Sequence, residues 1–290
     1  GPLSSCLIIY MKNALKSLQE NRDSKVFKPG IVSTAVFGLV LSASNVFAQP
    51  VAPTTNTPYM GSGTSIGAAG QNGNQVAYVS GRGDCRGGTG DNGYTGSPNP
   101  LNVYQGNLAS NGYGTGVYAL ATGGRGGDGG RNTDASCPGY SAKDGGMGAN
   151  SVPVNAWFVN GAVTSTTLSS TGIYAVSGGG NGGDGGRNNQ DGNAGDGANA
   201  GNGAAVYVSN TTSFVTGNTA GSYGIYAQSY GGNGGSGGNA SNCCFAGDGG
   251  GGGYGGTGGS VTVANSGSIQ SNLAIPIFAQ SKGGTGGGGG

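Results

Sequence analysis

The sequence predicts an all-β fold: a repetitive, right-handed parallel β-helix or solenoid with long glycine-rich loops, behind an N-terminal signal segment that is helical or disordered. Three observations predict it. Four fifteen-residue stretches align without a gap: GVYALATGGRGGDGG from Gly116, GIYAVSGGGNGGDGG from Gly172, GIYAQSYGGNGGSGG from Gly224 and PIFAQSKGGTGGGGG from Pro276. Their starts lie 56, 52 and 52 residues apart, and a fixed period of this size marks stacked repeats. Finally, 70 of the 290 residues are Gly and only 34% are hydrophobic, below the globular norm. The apolar residues sit in short islands, so a core must be assembled from thin repeated pieces.

Residues 1–48 read as an address. Residues 1–10 precede Met11, taken as the start, and are set aside together with Cys6. A long basic n-region carries Lys12, Lys16, Arg22, Lys25 and Lys28, Ala35 to Leu41 supply the apolar h-region, and Val46 and Ala48 stand at −3 and −1 of a cleavage site before Gln49. Ser33, Thr34, Ser42, Ser44 and Asn45 interrupt the run of about 20 apolar residues that a membrane span requires. Export through the inner membrane is therefore expected, ending at the cell surface, at the outer membrane or outside the cell. Residues 49–74 read as a disordered mature N-terminus and residues 75–290 as the repetitive solenoid.

The units repeat between the glycine tracts as well. VYVSNTTSF from Val206 aligns with VTVANSGSI from Val261, AWFVNGAV from Ala156 is a looser copy, and LNVYQGNLAS from Leu101 is looser still. QVAYVSGRGDCRGGTG from Gln75 reads as a degenerate first unit. Each unit then holds a VxVxN strand, a short strand near Phe214 or Ile269, a GIYAQS strand and a glycine tract. Strand alternation places Ile225, Ala227 and Ser229 on one face and Tyr226 and Gln228 on the other. Small and β-branched residues suit a narrow interior, which leaves Tyr118, Tyr174, Tyr226 and Phe278 as an external aromatic column. A β-sandwich with Tyr inside is the alternative. The solenoid is preferred because stacking gives each short strand a partner in every copy, whereas glycine spacers would make sandwich pairing very non-local.

The tracts read GGx with period three, the repeat of polyproline II. In that conformation Arg125 and Asp128 share an edge, as do Asn181 and Asp184, and Asn233 and Ser236. Glycine has the most conformational entropy to lose, so the expectation is a flexible or loosely packed loop.

Charge and composition exclude several functions. From Gln49 onward there are seven Arg or Lys against nine Asp, so no basic surface is available for nucleic acid. His is absent and Glu20 is the only Glu. General acid–base chemistry would fall to Asp, Tyr, Lys or Cys, and the Asp residues lie in glycine tracts instead of paired on strands. No enzyme activity is expected. No cofactor is expected either, because the GGx tracts lack the Gly-Lys-Ser/Thr of a phosphate loop.

Cys85, Cys137, Cys243 and Cys244 remain after signal removal. An exported chain meets an oxidising compartment, so disulfides are expected, with cross-loop pairs favoured over the strained vicinal ring. Asp128, Asp184, Asp191 and Asp196 offer oxygen ligands for calcium. The apolar positions of a calcium β-roll are missing, however, and Arg131 and Arg187 crowd the same stretches. Solvated loop aspartates are the expectation. Arg82-Gly83-Asp84 forms an RGD tripeptide of a kind that arises readily by chance in such a glycine-rich chain.

GIYAQS followed by GGNGGSGG, after a VTVANSGSI strand, resembles the passenger region of large glycine-rich autotransporters of Gram-negative bacteria. The resemblance spans about residues 100–290 and the signal. It implies a parallel β-helical passenger and a C-terminal translocator barrel of the same chain. No barrel-strand pattern is present, and the chain stops partway through its fourth unit, so a longer protein is expected. The implied function is a structural, adhesive passenger whose partner is a host or neighbouring-cell surface or a glycan. The alternatives are a calcium-dependent Gly/Asp repeat module and an ice- or glycan-binding face.

Overall fold

Every described strand but two pairs in parallel with its counterpart in the neighbouring repeat. The computed structural model describes residues 62–79, 84–105, 116–159, 171–215, 222–241, 247–270 and 274–290. In chain order the strands are β1 (Ser62–Ile66), β2 (Ala77–Val79), β3 (Asp84–Arg86), β4 (Leu101–Gln105), β5 (Val117–Thr122), β6 (Val154–Phe158), β7 (Ile173–Gly178), β8 (Val206–Asn210), β9 (Phe214–Val215), β10 (Tyr223–Tyr230), β11 (Val261–Asn265), β12 (Ile269–Gln270) and β13 (Ile275–Lys282). No helix occurs among the described residues. The fold is all-β and β-helix-like.

The sequence repeat sets the register. One sheet runs β1-β5-β7-β10-β13 and a second runs β11-β8-β6-β4. Ile225 faces Ile173 on one side and Ile277 on the other, and Ala227 likewise faces Ala175 and Ala279. The short β9 and β12 pair through Phe214 and Ile269. The antiparallel exception is the β2–β3 hairpin.

Alternation selects the core. Val117, Ala119, Ile173, Ala175, Ile225 and Ala227 from the first sheet meet Val154, Ala156, Phe158, Val206 and Val208 from the second. Burying a side chain of the Val or Ile size contributes about 1.5–3 kcal/mol, so each repeat adds its own share. Phe158 and Phe214 extend this core with rings 5.8 Å apart. The glycine that opens GIYA has a steric reason: a Cβ on Gly224 would fall 2.6 Å from Cγ2 of Ile269.

The serine of GIYAQS is buried and joins the sheets at their edge. Ser229 Oγ donates to the Ala204 carbonyl and accepts from the Gly259 N–H, and Ser177 Oγ does the same with Val152 and Ala204. Each hydroxyl satisfies a carbonyl in one repeat and an N–H in the next, groups that are costly to bury unpaired.

The glycine tracts are ordered, which corrects the expectation of loosely packed loops. Each tract after a first-sheet strand continues that sheet's stacking, and each tract before a second-sheet strand continues the other. Within a triplet the three N–H groups point three ways. Gly182 N–H donates to the Asn233 carbonyl of the next repeat, Gly183 N–H donates to the Gly146 carbonyl of the facing tract, and Asp184 N–H donates to Oδ1 of Asp128. Gly185 N–H to Ser236 and Gly186 N–H to Lys143 continue the pattern. The facing tract of the same repeat runs antiparallel, with Gly201, Ala198 and Gly195 donating to Gly180, Gly183 and Gly186. This threefold directionality is that of polyproline II helices, here packed in two layers.

Steric need fixes glycine at two of every three positions in the first-layer tracts, whereas the second layer admits Ala194, Ala198 and Ala200 at such positions. A Cβ on Gly182 would lie 2.7 Å from the carbonyl carbon of Ala198, in the facing layer. One on Gly183 would lie 2.6 Å from the carbonyl carbon of Gly127, in the preceding repeat. The Cα–H bonds in those directions point at carbonyl oxygens, a weak attraction that recurs along the tract.

Between the layers the chain turns on a buried asparagine. Asn132 Nδ2 donates to the Cys137 and Tyr140 carbonyls, and Asn188 Nδ2 donates to the Tyr140 and Asn193 carbonyls.

Two further boundaries differ from the sequence reading. The segment 49–74, expected to be disordered, contains β1 and a tract whose Gly67, Gly70 and Gly73 N–H groups donate to Thr122, Arg125 and Asp128. The first unit therefore opens at β1, before Gln75. β1 has no apolar motif to betray it, and is held by pairing with β5. Residues 1–48, with the cleavage pair Ala48 and Gln49, lie outside the described residues, as do Arg82 and Gly83 of the RGD tripeptide.

Substituting Gly183 with Ala should lower stability by at least about 1–3 kcal/mol, the cost of overpacking, because both obstructing atoms are backbone. Asn181→Ser, one position outside the packed layers, should lower it by less. Thermal melts followed by circular dichroism would compare the two; equal melting points would contradict the packed-layer account.

Candidate functional site

In-register parallel pairing turns each outward residue type into a column with the rung spacing of about 4.8 Å. On the outer face of the first sheet, Tyr118, Tyr174, Tyr226 and Phe278 stack in series. Their ring centroids lie 5.1, 5.2 and 4.9 Å apart and their planes diverge by 7°, 6° and 13°. Tyr223 packs edge-on against Tyr226 at 4.9 Å. All four column rings are half-buried. Such pairs contribute about 0.5–1.5 kcal/mol each beyond their burial, so the column both rigidifies the sheet and offers an aromatic strip.

Burial pushes the Tyr174 hydroxyl above the ordinary tyrosine range, and the neighbouring Tyr118, Tyr226 and Tyr230 add to the shift. Tyr226 is raised in the same way, first by burial and then by Tyr223 and Tyr230.

Beside the aromatic column runs an amide pair. Tyr226 Oη donates to Gln228 Oε1 at 2.9 Å, and Gln228 Nε2 donates to Gln280 Oε1 at 2.7 Å. The third outward position holds Thr122, Gly178, Tyr230 and Lys282 in successive strands. Tyr230 fills the space left by Gly178, where a Cβ would meet its ring. Past this column, at the edge of the first glycine layer, is an open groove of about 350 Å³ lined by Asn181, Gln228, Tyr230, Asn233, Lys282 and Thr285 together with backbone glycines.

The outward residues of the tracts also form ladders. Asn181 Oδ1 accepts the Asn233 N–H and Asn233 Oδ1 accepts the Thr285 N–H. Asp184 Oδ1 accepts the Ser236 N–H, and Asp196 Oδ1 accepts the Gly251 N–H on the other layer. Arg125 pairs with Asp128 at 2.6 Å and Asp184 at 3.4 Å, in an exposed setting where such pairs contribute little.

The four aspartates raised as calcium ligands thus do not converge. Asp128 and Asp184 stand on the first layer, Asp196 on the second, and Asp191 in the turn between them. Asp184, Asp191 and Asp196 are exposed and Asp128 is half-buried; Asp128, Asp184 and Asp196 in addition each accept a backbone N–H of the next repeat. Among the described residues, no group of three or more His, Cys, Asp or Glu is placed to hold a metal ion.

Cys85 and Cys137 form a disulfide with Cα atoms 5.9 Å apart, at a sequence separation of 52. It fastens the β2–β3 hairpin to the next repeat's turn. Cys243 and Cys244 lie outside the described residues.

Sequence reasoning missed the groove. Asn181 was legible on one edge of its tract with Asp184, and Asn233 on one edge of the next with Ser236, while Gln228 and Tyr230 stood within or beside the repeated strand. Their convergence with Lys282 needed the register between strand and tract. The 52-residue spacing of Asn181 and Asn233 was the available signal.

No family model matches the chain, and no curated protein matches it. Among solved structures, a nine polyproline type II helical bundle springtail antifreeze protein from Granisotoma rainieri is similar at 21% identity over 64% of this chain and 91% of that one. The TM-score is 0.13, too low for that likeness to bear on fold or function.

Reducing the disulfide should destabilise the protein by about 4 kcal/mol on the chain-entropy account for a loop of this length. Thermal melts with and without reductant would show it as a lowered midpoint. Alkaline titration provides a second check. The folded column favours neutral tyrosine, so its stabilisation is complete below the ordinary value of 10.0 and is lost as pH rises through the raised folded values. Phenolate absorbance should show a late-ionising group of tyrosines that Tyr174→Phe and Tyr226→Phe remove; a single ordinary titration would contradict the half-buried column.

Proposed function

We propose that this chain is an exported structural passenger of the autotransporter type, with a right-handed parallel β-solenoid that presents a rigid adhesive face at the cell surface or outside the cell. The observation that supports adhesion most directly is the stacked column Tyr118–Tyr174–Tyr226–Phe278 on an in-register sheet. Right-handedness rests on the general chirality of parallel crossover connections. Export rests on the three-part segment of residues 1–48, and the autotransporter reading on the repeated strand and glycine motif. The partner is a host or neighbouring-cell surface or its glycans, with no cofactor and no catalysis.

Mechanistically, the column is a preordered apolar strip. A partner does not have to immobilise its rings, so the usual ordering cost of association is reduced. Identical rings at rung spacing meet repeating ligands several at a time, and weak contacts then sum to firm attachment.

Binding of the chain to a glycan array and to cultured cells tests this. The combined substitution of Tyr118, Tyr174 and Tyr226 by Leu keeps apolar burial but removes the rings, and should weaken attachment at least about tenfold when measured below the variant's melting transition, which the lost ring stacking lowers. Attachment at the original strength would remove the column from the mechanism.

A further inference from the structure

The groove beside Tyr230 has a chemical bias that the scaffold itself imposes. Asn181 and Asn233 each use Oδ1 to accept a backbone N–H of the next repeat, at 2.8 and 3.0 Å. That fixes the orientation of both amides. Their Nδ2 groups are the amide atoms left over from the ladder, and both residues line the groove together with Lys282. Gln228 is already engaged at both amide atoms and serves as lining. The Tyr230 ring supplies an apolar wall, seated over Gly178. No carboxylate lines the groove.

We propose that this groove binds an acidic polysaccharide, with a uronate carboxylate held by Lys282 and the Asn181 and Asn233 amides, and with a pyranose face against Tyr230. This deepens the adhesive reading and rests on it, by naming a ligand class for the same outer face. Three donors and one positive charge, without an acidic group, select an anion over a neutral sugar. Charge-assisted hydrogen bonds are about twice as strong as neutral ones. The aromatic wall and open shape suit a sugar chain entering from the side instead of a small enclosed anion.

The ladder provides an isosteric test. Asp128 and Asp184 show that a carboxylate Oδ1 closes the next repeat's N–H as well as an amide does. Asn233→Asp therefore keeps the scaffold bond and replaces the remaining donor by a negative oxygen. Binding of the full chain to polygalacturonate, with neutral dextran as the comparison, should be selective for the uronate polymer. Asn233→Asp and Lys282→Gln should each weaken it at least about tenfold while leaving circular dichroism and the melting midpoint unchanged. Equal binding to dextran, no binding to polygalacturonate, or unaltered uronate binding in both variants overturns the assignment. If the Tyr118, Tyr174 and Tyr226 Leu variant abolishes cell attachment while uronate binding is absent, the groove assignment falls and the adhesive reading stands. If uronate binding depends on Lys282 and Asn233 but cell attachment ignores the column, the adhesive mechanism falls instead.

Discussion

The absence of a Cβ at two of every three positions of the first-layer tracts is the constraint on which the rest of this structure depends. Where the two sheets carry side chains, Ile, Val, Ala and Phe fill the space between them and hold them apart. Where the chain passes into glycine, nothing fills that space, and the same two surfaces close until backbone bonds to backbone. Gly183 N–H then reaches the Gly146 carbonyl and Ala198 N–H reaches Gly183. The described repeats thus have two kinds of interior, apolar between the sheets and hydrogen-bonded between the glycine tracts.

This arrangement accounts for the polar groups of a chain with few apolar residues. Buried backbone donors must find partners, and the triplet gives each a direction: the next repeat, the facing layer, or the outside. The outward N–H would otherwise depend on water. Asn and Asp at the third position supply a side-chain oxygen to the following repeat, as Asn181 does for Asn233 and Asp196 for Gly251. Residues that look like solvated decoration are part of the framework. Their remaining atoms decide what the surface can hold, which is why one ladder carries the carboxylates of Asp128 and Asp184 and its neighbour the amides of Asn181 and Asn233.

Much of the strand architecture was legible in the sequence because period and alternation are local properties. The gapless copies of GIYAQS give the register, and alternation gives the inward Ile225, Ala227 and Ser229 with Tyr226 outward. The period of three in the tracts was equally visible. Their order was not, because a single glycine helix has no side chains with which to hold itself and becomes stable only between neighbours. β1 escaped for a related reason: SGTSI has no apolar stripe, and its strand character comes from pairing with β5. Of the groove, Asn181 and Asn233 could each be placed on the outer edge of its own tract, but not beside Lys282.

What the sequence by itself determined is therefore the repeat, the strand faces and the aromatic column. Those follow from residue type and spacing along one chain. The tertiary structure alone decided that the glycine tracts form two packed layers, that Cys85 joins Cys137, and that Asn181, Asn233 and Lys282 line one groove. Each of these depends on contacts between segments about fifty residues apart, where the partner of a backbone N–H is fixed by stacking and not by its own neighbours in sequence.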